Sequence, residues 1–310
     1  MGVIGKIFFF TICNKKSFTC ALNPFTREIF CATIRKTEAL ASGENKISLR
    51  KIFIEDKNEA LASDVSKKRV YPMDLKYKRI LLKISGEALL GDQQFGIDQK
   101  PIKMIAEEIK KARDLGAQVA VVVGGGNIFR GMKNSAKLGM DQASGDYVGM
   151  LATVMNAIAL QSALNQMKVP CRVQSAIAMN QIAEPYIRHR AIRHLEKGRV
   201  VIFAAGTGNP FFTTDTAAAL RASEINAEAM LMAKNGVDGV YTDDPKTNPN
   251  AKRLEKITYD DIIINGLKVM DTSACALCKQ NNIPIVVFDF EKENGIVEIL
   301  QNKEIGTYIS

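Results

Sequence analysis

The sequence predicts an α/β fold with mostly parallel strands for residues 73–310. Short apolar runs, typical of buried strands, alternate along this region with segments whose apolar residues recur at helical spacing. Apolar residues make up 46% of the chain, enough for a full core. Two of the apolar runs, 118–123 and 199–205, lead directly into loops that contain glycine. Open α/β sheets bind ligands at such loops, beyond the carboxyl ends of their strands.

The elements are predicted from these patterns in chain order. Strands are expected at 78–84, 118–123, 171–175, 199–205, 228–233 and 283–288, with a final edge strand at 305–309. Helices are expected at 101–115, 146–166, 186–196, 217–223, 272–280 and 293–300. Asp98 stands where the cap of the first helix should be, and Asp260 and Asp261 indicate a further helix start. The helix at 146–166 is rich in Met and Ala, which indicates core or subunit packing.

The formal net charge of +9 is concentrated near the N-terminus. Residues 1–72 contain 13 Lys/Arg and 7 Asp/Glu, whereas residues 73–310 contain 29 and 26. The body is therefore only mildly basic, and a nucleic-acid partner is not indicated. No apolar run reaches the roughly 20 residues needed to cross a bilayer, so no membrane partner is predicted.

Residues 1–72 differ from the body and are predicted to be a poorly ordered N-terminal extension. One interpretation is an upstream start before Met73, or an extension particular to a lineage. The alternative is an organelle address such as a plastid transit peptide, but Glu28, Glu38 and Glu44 weaken it, because transit peptides contain few acids. A cytoplasmic location is expected, with an organelle as the alternative.

Six cysteines and two histidines decide what metal or redox chemistry is open to the chain. Cys275 and Cys278 form a CxxC, but no second CxxC or histidine pair stands at zinc spacing. The pair also lies in the helix predicted at 272–280. Packing cysteines are the favoured interpretation, redox or metal chemistry is the alternative, and no protein metal site is predicted.

Lys83 lies near the end of the first predicted strand, just before Ser85 and Gly86. A cation at this position can reach a phosphate at the carboxyl edge of the sheet. The alternative interpretation is an ordinary lysine at the end of a strand.

Three consecutive glycines, at 124–126, follow the second strand. Successive backbone N–H groups there can surround phosphate oxygens, and Arg130 can add a planar fork to a phosphoryl group. The GxGxxG and GxxxxGK[ST] fingerprints are both absent. A tight turn explains one or two glycines, but not three followed by an arginine.

The loop at 206–214 joins the strand at 199–205 to a helix. Gly206 and Gly208 allow a close backbone approach to a ligand. Two phenylalanines stand there beside short hydroxyl and amide side chains, which suits a flat ring that carries a sugar and a phosphate. Asp215 follows and would orient Lys83 or, as the alternative, cap the helix.

Another loop follows the strand at 228–233. Asn235 and Tyr241 can hold a base there, and Asp244 with Pro245 opens a turn.

Four stretches resemble the bacterial-type UMP kinases (uridylate kinases) of the amino-acid kinase superfamily. They are KISGEAL at 83–89, GGGNIFRG at 124–131, GDYVGMLA at 145–152 and GTGNPFFTTD at 206–215. The last string is highly specific, and the match covers about residues 75–309 in the right order. The resemblance implies transfer of the ATP γ-phosphoryl group to UMP, a single three-layer α/β/α domain and a homohexamer.

The resemblance also assigns site residues. Catalysis is implied for Lys83, Arg130 and Asp215. ATP binding is implied for Lys83, Ile84, Ser85, Gly86, Gly126, Arg130, Asn235, Tyr241 and Asp244. UMP binding is implied for Gly125, Asp146, Thr207, Gly208, Asn209, Pro210, Phe211, Phe212, Thr213 and Thr214, with Asp146 at a helix start and on the ribose. Activation by GTP is implied for the loop Gly91, Asp92, Gln93, Gln94, Phe95 and Gly96, with UTP as inhibitor and Mg²⁺ held by the ATP phosphates.

Two alternatives to UMP phosphorylation stay open. One is a kinase of the same fold that acts on acetylglutamate, glutamate or aspartate, which would need cations aimed at a carboxylate. The other is a nucleotide-sensing regulator or RNA-binding protein that has kept the pocket. Lys83, Arg130 and Asp215 are all present and argue against an inactive enzyme.

Overall fold

The computed structural model describes residues 74–129, 138–243, 247–248, 250–267 and 269–310. The predicted extension at 1–72 and its boundary at Met73 lie outside the described residues, as do Arg130 and Asp244.

The secondary structure alternates between strands and helices along the chain. The strands are β1 (Arg79–Ile84), β2 (Gln118–Val123), β3 (Cys171–Ser175), β4 (Glu184–Pro185), β5 (Val200–Ala204), β6 (Ala229–Lys234), β7 (Val240–Tyr241), β8 (Arg253–Leu254), β9 (Lys256–Ile257), β10 (Ile285–Asp289) and β11 (Thr307–Ile309). The helices are α1 (Gln99–Asp114), α2 (Gln142–Gln166), α3 (Arg188–Glu196), α4 (Thr214–Glu224), α5 (Tyr259–Ile264), α6 (Thr272–Gln280) and α7 (Gly295–Leu300), with a 3₁₀ turn at Gly86–Leu89.

The described residues form a nine-stranded sheet in the order β4-β3-β5-β2-β1-β6-β10-β11-β9. Its strands run parallel, except that β11 is antiparallel to β10, and β9 follows β11. One core packs α1, α2 and α7 on one face, and a second packs α3, α4, α5 and α6 on the other. The predicted α/β fold is confirmed, and the three-layer arrangement is the one that the resemblance implies.

Four predictions about the elements need correction. α2 begins at Gln142, not at 146, because Asp141 caps it by accepting the Ser144 N–H at 2.9 Å. Asp146 therefore lies one turn inside the helix. The predicted final strand is not at the edge, because β9 pairs along its outer side. β6 is shifted by one residue from the predicted 228–233, since it begins at Ala229 and ends at Lys234. The fourth correction concerns Asp215 and the start of α4.

Asp215 is not the cap of α4. The cap is Thr213, whose hydroxyl accepts the N–H groups of Asp215 and Thr216. The carboxylate of Asp215 is therefore available for a partner outside the helix.

By length and composition alone, the helix α2 could cross a membrane. This is contrary to the prediction that no apolar segment of the chain is long enough to do so. Its buried residues, among them Val154, Ala157 and Leu160, pack in the core beneath the sheet. This core position accounts for much of its apolar character.

Cys275 and Cys278 are buried among the residues that α6 packs against the sheet. Burial raises the pKa of both thiols, that of Cys278 to about 12. Because the thiolate is the reactive form, this environment suits packing rather than redox chemistry.

Candidate functional site

A buried ion pair lies at the carboxyl end of the central strand. Lys83 projects from β1 onto the same face as Leu81, where the first turn of α4 carries Asp215. The Lys83 Nζ is 2.6 Å from the Asp215 Oδ1, and Lys83 is only 9% exposed. β1 lies between β2 and β6 in the sheet, so the chain order reverses on either side of it. Ligands usually bind at the carboxyl ends of the strands at such a reversal, which is where the pair lies.

The glycine turn after β2 packs against Gly86. A Cβ at Gly86 would lie 2.7 Å from three atoms, the Asn127 Oδ1, the Gly124 carbonyl oxygen and the Gly126 nitrogen. A Cβ at Gly125 would lie 2.7 Å from the Gly149 carbonyl oxygen. At both positions a side chain would collide with nearby backbone atoms of this chain, so glycine is required. These close contacts fix the position of the glycine turn.

The same turn presents backbone donors. A Cβ at Gly126 would be in ordinary contact with the Glu87 side chain, whose nearest atom lies at 3.7 Å, so this position is less crowded than Gly86 and Gly125. Within the described residues, the N–H groups of Gly125 and Gly126 donate to no protein acceptor. Such paired amides suit phosphate oxygens.

A buried amide pair supports the glycine turn from behind. Asn156 donates to the Gly124 carbonyl at 2.7 Å and to the Asn127 side chain at 2.7 Å. Asn127 donates to the Gly96 carbonyl at 2.8 Å, and its own carbonyl accepts the Gly96 N–H at 3.0 Å. The loop at 91–96 is therefore tied directly to the glycine turn.

A first cavity, of about 280 Å³, opens beside the ion pair. It is lined by Gly125, Gly126, Phe129, Gly145, Asp146, Gly149, Met150, Thr153, Gly206, Thr207, Asn209, Phe212, Thr213 and Thr214. We call it the acceptor cavity. Of the residues predicted to bind UMP, Gly208, Pro210 and Phe211 are not among its lining residues.

Asp146 fixes the loop at 206–214 rather than standing at a helix start. Its Oδ2 accepts the Phe211 N–H at 2.8 Å. Phe211 has a left-handed backbone, with φ of 69°, and is 68% exposed. Only Phe212 of the two phenylalanines walls the cavity.

A second cavity, of about 590 Å³, lies at the carboxyl end of β6 and beside the loop that follows it. It is lined by Lys234, Val237, Gly239, Val240, Tyr241, Thr242, Asp243, Asn265, Gly266, Leu267, Val269 and Val287. We call it the donor cavity. Of the predicted base-binding residues, Tyr241 lines it, whereas Asn235 is exposed and absent from the lining.

The residues predicted to contact ATP phosphates after β1 differ in what they can offer. Ile84 is fully buried in the core, so only its backbone can face a ligand. Ser85 caps the 3₁₀ turn by accepting the Glu87 N–H at 3.3 Å.

Residues 78–289 match the model of the amino acid kinase family. The chain belongs to the amino acid kinase family. Among solved structures, the chain is similar to the UMP kinase of Bacillus anthracis, with 42% identity, a TM-score of 0.74 and coverage of 76% of this chain and 96% of that one. The UMP kinase of Ureaplasma parvum shows 43% identity, a TM-score of 0.72 and coverage of 76% and 99%. The uridylate kinase of Archaeoglobus fulgidus shows 29% identity, a TM-score of 0.57 and coverage of 74% and 99%.

Three residues that the sequence pattern did not single out anchor the 206–214 loop of this amino acid kinase. The Thr153 hydroxyl accepts the Ala205 N–H at 2.8 Å, where Ala205 takes a left-handed φ of 61°. Asp271 accepts the hydroxyls of Thr213 and Thr216 and caps α6. Arg221 contacts the start of the loop at Gly206, and no periodic pattern in the sequence indicated this role.

Arg221 is a buried guanidinium behind this loop. It donates to the Gly206 carbonyl at 3.3 Å and pairs with Glu224 at 2.6 Å. Its guanidinium carbon lies 3.9 Å from the centroid of the Tyr186 ring, and the Tyr186 hydroxyl donates to Glu224 at 2.5 Å. A planar fork makes all these contacts at once, which a lysine ammonium cannot do.

Arg221→Lys is therefore expected to raise the KM of the acceptor substrate by about tenfold, since hydrogen bonds from charged groups contribute about 1.5–3 kcal/mol to local order. The KM for ATP should change less than twofold. The matched control is Arg193→Lys on the exposed side of α3. Steady-state kinetics check it, and an unchanged acceptor KM in Arg221→Lys would contradict the anchoring role.

Proposed function

We propose that this amino acid kinase transfers the γ-phosphoryl group of ATP to UMP, giving UDP and ADP in pyrimidine nucleotide synthesis. The observation that carries the proposal is the acceptor cavity beside the Lys83–Asp215 pair, closed by the GTGNPFFTTD loop. Similarity to UMP kinases at 42–43% identity supports the same acceptor.

The chemistry requires positioning and charge neutralisation rather than a base. A UMP phosphate oxygen is already ionised near neutral pH and attacks the γ-phosphorus, while the bond from that phosphorus to the β-phosphate oxygen breaks. Lys83, which Asp215 holds in place, would neutralise negative charge on the transferred group. The amides of Gly125 and Gly126 would bind phosphate oxygens. Arg130, outside the described residues, is proposed for the same group on its motif alone.

Mg²⁺ is proposed to enter as MgATP and to neutralise charge on the phosphate oxygens. Within the described residues, no three His, Cys, Asp or Glu side chains cluster as metal ligands. This donor set fits an ion held mainly by phosphates and water, which is how Mg²⁺ commonly binds in kinases.

The lining of the acceptor cavity supports UMP rather than an amino acid as the acceptor. Its described residues offer hydroxyl and amide groups beside the ring of Phe212, which suit a base and a ribose. An ADP-release assay with UMP, acetylglutamate, glutamate and aspartate tests this choice. Turnover with UMP alone supports the proposal, and turnover only with an amino acid overturns it. If none of the four acceptors is phosphorylated, the alternative of a nucleotide-sensing regulator without kinase activity is favoured.

A homohexamer is proposed for the assembly. Four apolar residues at helical spacing, Tyr147, Leu151, Met155 and Ile158, are exposed along one face of α2. Contiguous exposed apolar surface of this kind marks protein interfaces.

Met155→Glu is expected to shift the assembly to smaller species, because a buried carboxylate without a partner opposes association. Light scattering after size exclusion measures the mass, with Glu107→Gln on the outer face of α1 as control. A hexamer that persists in Met155→Glu would exclude this face as the interface.

Activation by GTP is proposed through the loop at 91–96, and UTP is proposed as an inhibitor. Its Gly96 is bonded to Asn127, next to the glycine turn, so a ligand that moves the loop can act on the phosphate site. Addition of each nucleotide to the assay measures the sign of its effect.

The cytoplasm is the proposed location, because residues 1–72 contain more acidic residues than is usual for a transit peptide. Microscopy of the full chain with a fluorescent protein fused to its C-terminus distinguishes a cytoplasmic from an organellar location.

A further inference from the structure

Lys234 is a second lysine near the ion pair, half-buried, and the proposed phosphoryl transfer does not use it. β6 is parallel to β1, with Lys83 opposite Met232 and Ile84 opposite Ala233. Lys234 is the next residue of β6 and shares a face with Met232, because alternate residues of a strand point to the same side. The two lysines therefore lie on one face of the sheet, at the carboxyl ends of neighbouring strands.

The ammonium of Lys234 is only partly satisfied by protein. Its Nζ donates to the Val269 carbonyl at 2.7 Å. A lysine ammonium carries three donors, and the other two have no acceptor within the described residues. The nearby carboxylate of Asp271 is engaged by the hydroxyls of Thr213 and Thr216 and by the Ala274 N–H.

Among the described residues, Lys83 is paired with the Asp215 carboxylate, whereas no carboxylate pairs with Lys234. The charge of Asp271 is also near, but its oxygens are engaged by hydroxyls and a backbone N–H. Burial lowers the pKa of Lys234, the charge of Lys83 lowers it further, and the Asp215 carboxylate raises it. Charges shielded from water are normally compensated, so the unpaired ammonium of Lys234 favours an anionic ligand.

The position of Lys234 indicates which part of a nucleotide supplies the anion. It lines the donor cavity, whose walls include Val240, Leu267 and Val287 and so suit a flat base. Lys83 lies toward the acceptor cavity. A phosphate chain that runs from a base in the donor cavity to a transferred group at Lys83 would therefore pass the ammonium of Lys234.

Resting on the proposed kinase function, we propose that Lys234 is a further catalytic residue, which binds the β-phosphate of the donor nucleotide. As the UMP oxygen bonds to the γ-phosphorus, the bond to the β-phosphate oxygen breaks and its electron pair stays on ADP. Lys234 neutralises the charge that grows on that leaving oxygen, and no proton is transferred. A cation aimed at charge that develops in the transition state accelerates the reaction itself.

The test compares nucleotides that differ only in the phosphate chain. Calorimetry on the full-length chain, with Mg²⁺ and without UMP, measures the Kd of ADP and of AMP. Lys234→Met keeps the length of the side chain and removes its charge. We expect it to weaken ADP binding by about tenfold or more, AMP binding by less than twofold, and kcat by about ten- to a hundredfold, with the UMP KM unchanged. Lys234→Arg should recover part of the ADP affinity, and Lys256→Met, an exposed lysine on β9, is the control.

The outcomes separate this role from a structural one. Equal losses for ADP and AMP would mean that Lys234 only supports the donor cavity through Val269, and unchanged binding would remove it from the site; either result overturns the proposal. If Lys234→Met fails to fold, Lys234→Gln retains an N–H donor and answers the same question. If the chain does not phosphorylate UMP, yet Lys234→Met selectively weakens ADP binding, the role of Lys234 stands and the proposal that UMP is the acceptor is refuted.

Discussion

Lys83→Ala is expected to lower kcat for UDP formation by at least about a hundredfold. Lys83 is fixed before substrate arrives, because it is buried and its Nζ lies 2.6 Å from the Asp215 carboxylate. A preorganised group of this kind contributes about 3 kcal/mol to the transition state, since it requires no reorganisation during the reaction. The ADP-release assay at saturating MgATP and UMP measures the loss.

A second variant separates catalysis from stability. Removal of Lys83 leaves the Asp215 carboxylate buried without its closest partner, and an orphaned buried charge destabilises a fold. Lys83→Met combined with Asp215→Asn removes both charges and should regain the thermal stability that the single variant loses. Its kcat should stay low. Recovery of kcat together with stability would show that Lys83 acts through folding alone, and near-normal turnover of Lys83→Ala would exclude it from the mechanism.

The strand ends could be predicted from sequence because burial on both faces of a parallel sheet requires continuous apolar runs. The run at 118–123 stops at Val123, and glycines follow at once, so β2 and its turn were recoverable to the residue. The prediction that the last strand lies at the edge of the sheet was wrong, because the two-residue strand β9 pairs beyond it. A strand this short has no apolar run or periodic pattern by which the sequence could indicate it.

The partners of the site residues depend on tertiary contacts that no local pattern records. Asp215 fits a cap by position, yet Thr213 two residues earlier takes that role and leaves Asp215 for Lys83. Arg221 stands among alanines on α4 and resembles a solvent-facing residue. Glu224 on the same helix pairs with it, but the ring of Tyr186 that covers it comes from a distant part of the chain. Lys234 looked like the first loop residue because the apolar run of β6 ends at Ala233.

The largest discrimination is expected between UMP and other acceptors. Uracil presents a carbonyl–imide–carbonyl edge, and cytosine replaces one carbonyl and the imide N–H with an amine and a bare nitrogen. The 206–214 loop can present backbone groups in fixed positions, because Thr207 is bonded to both the carbonyl and the N–H of Asn209. Gly206 and Gly208, with φ of 55° and 84°, set its path where a side chain would be strained.

Preference for UMP over CMP is therefore expected to reach as much as about 10⁴-fold in kcat/KM, since a site built on paired hydrogen bonds rejects an analogue that leaves a buried group unpaired. AMP and GMP should be poorer still, because an acceptor cavity of about 280 Å³ is small for a nucleotide with two fused rings. dUMP should also be weaker than UMP, since Asp146 and Thr207 line the cavity with acceptors for a ribose hydroxyl. The measurement is kcat/KM for UMP, dUMP, CMP and AMP at fixed MgATP, with Asp146→Asn as the variant in which the UMP-to-dUMP ratio should fall. Comparable values for UMP and CMP would refute recognition of uracil by this loop.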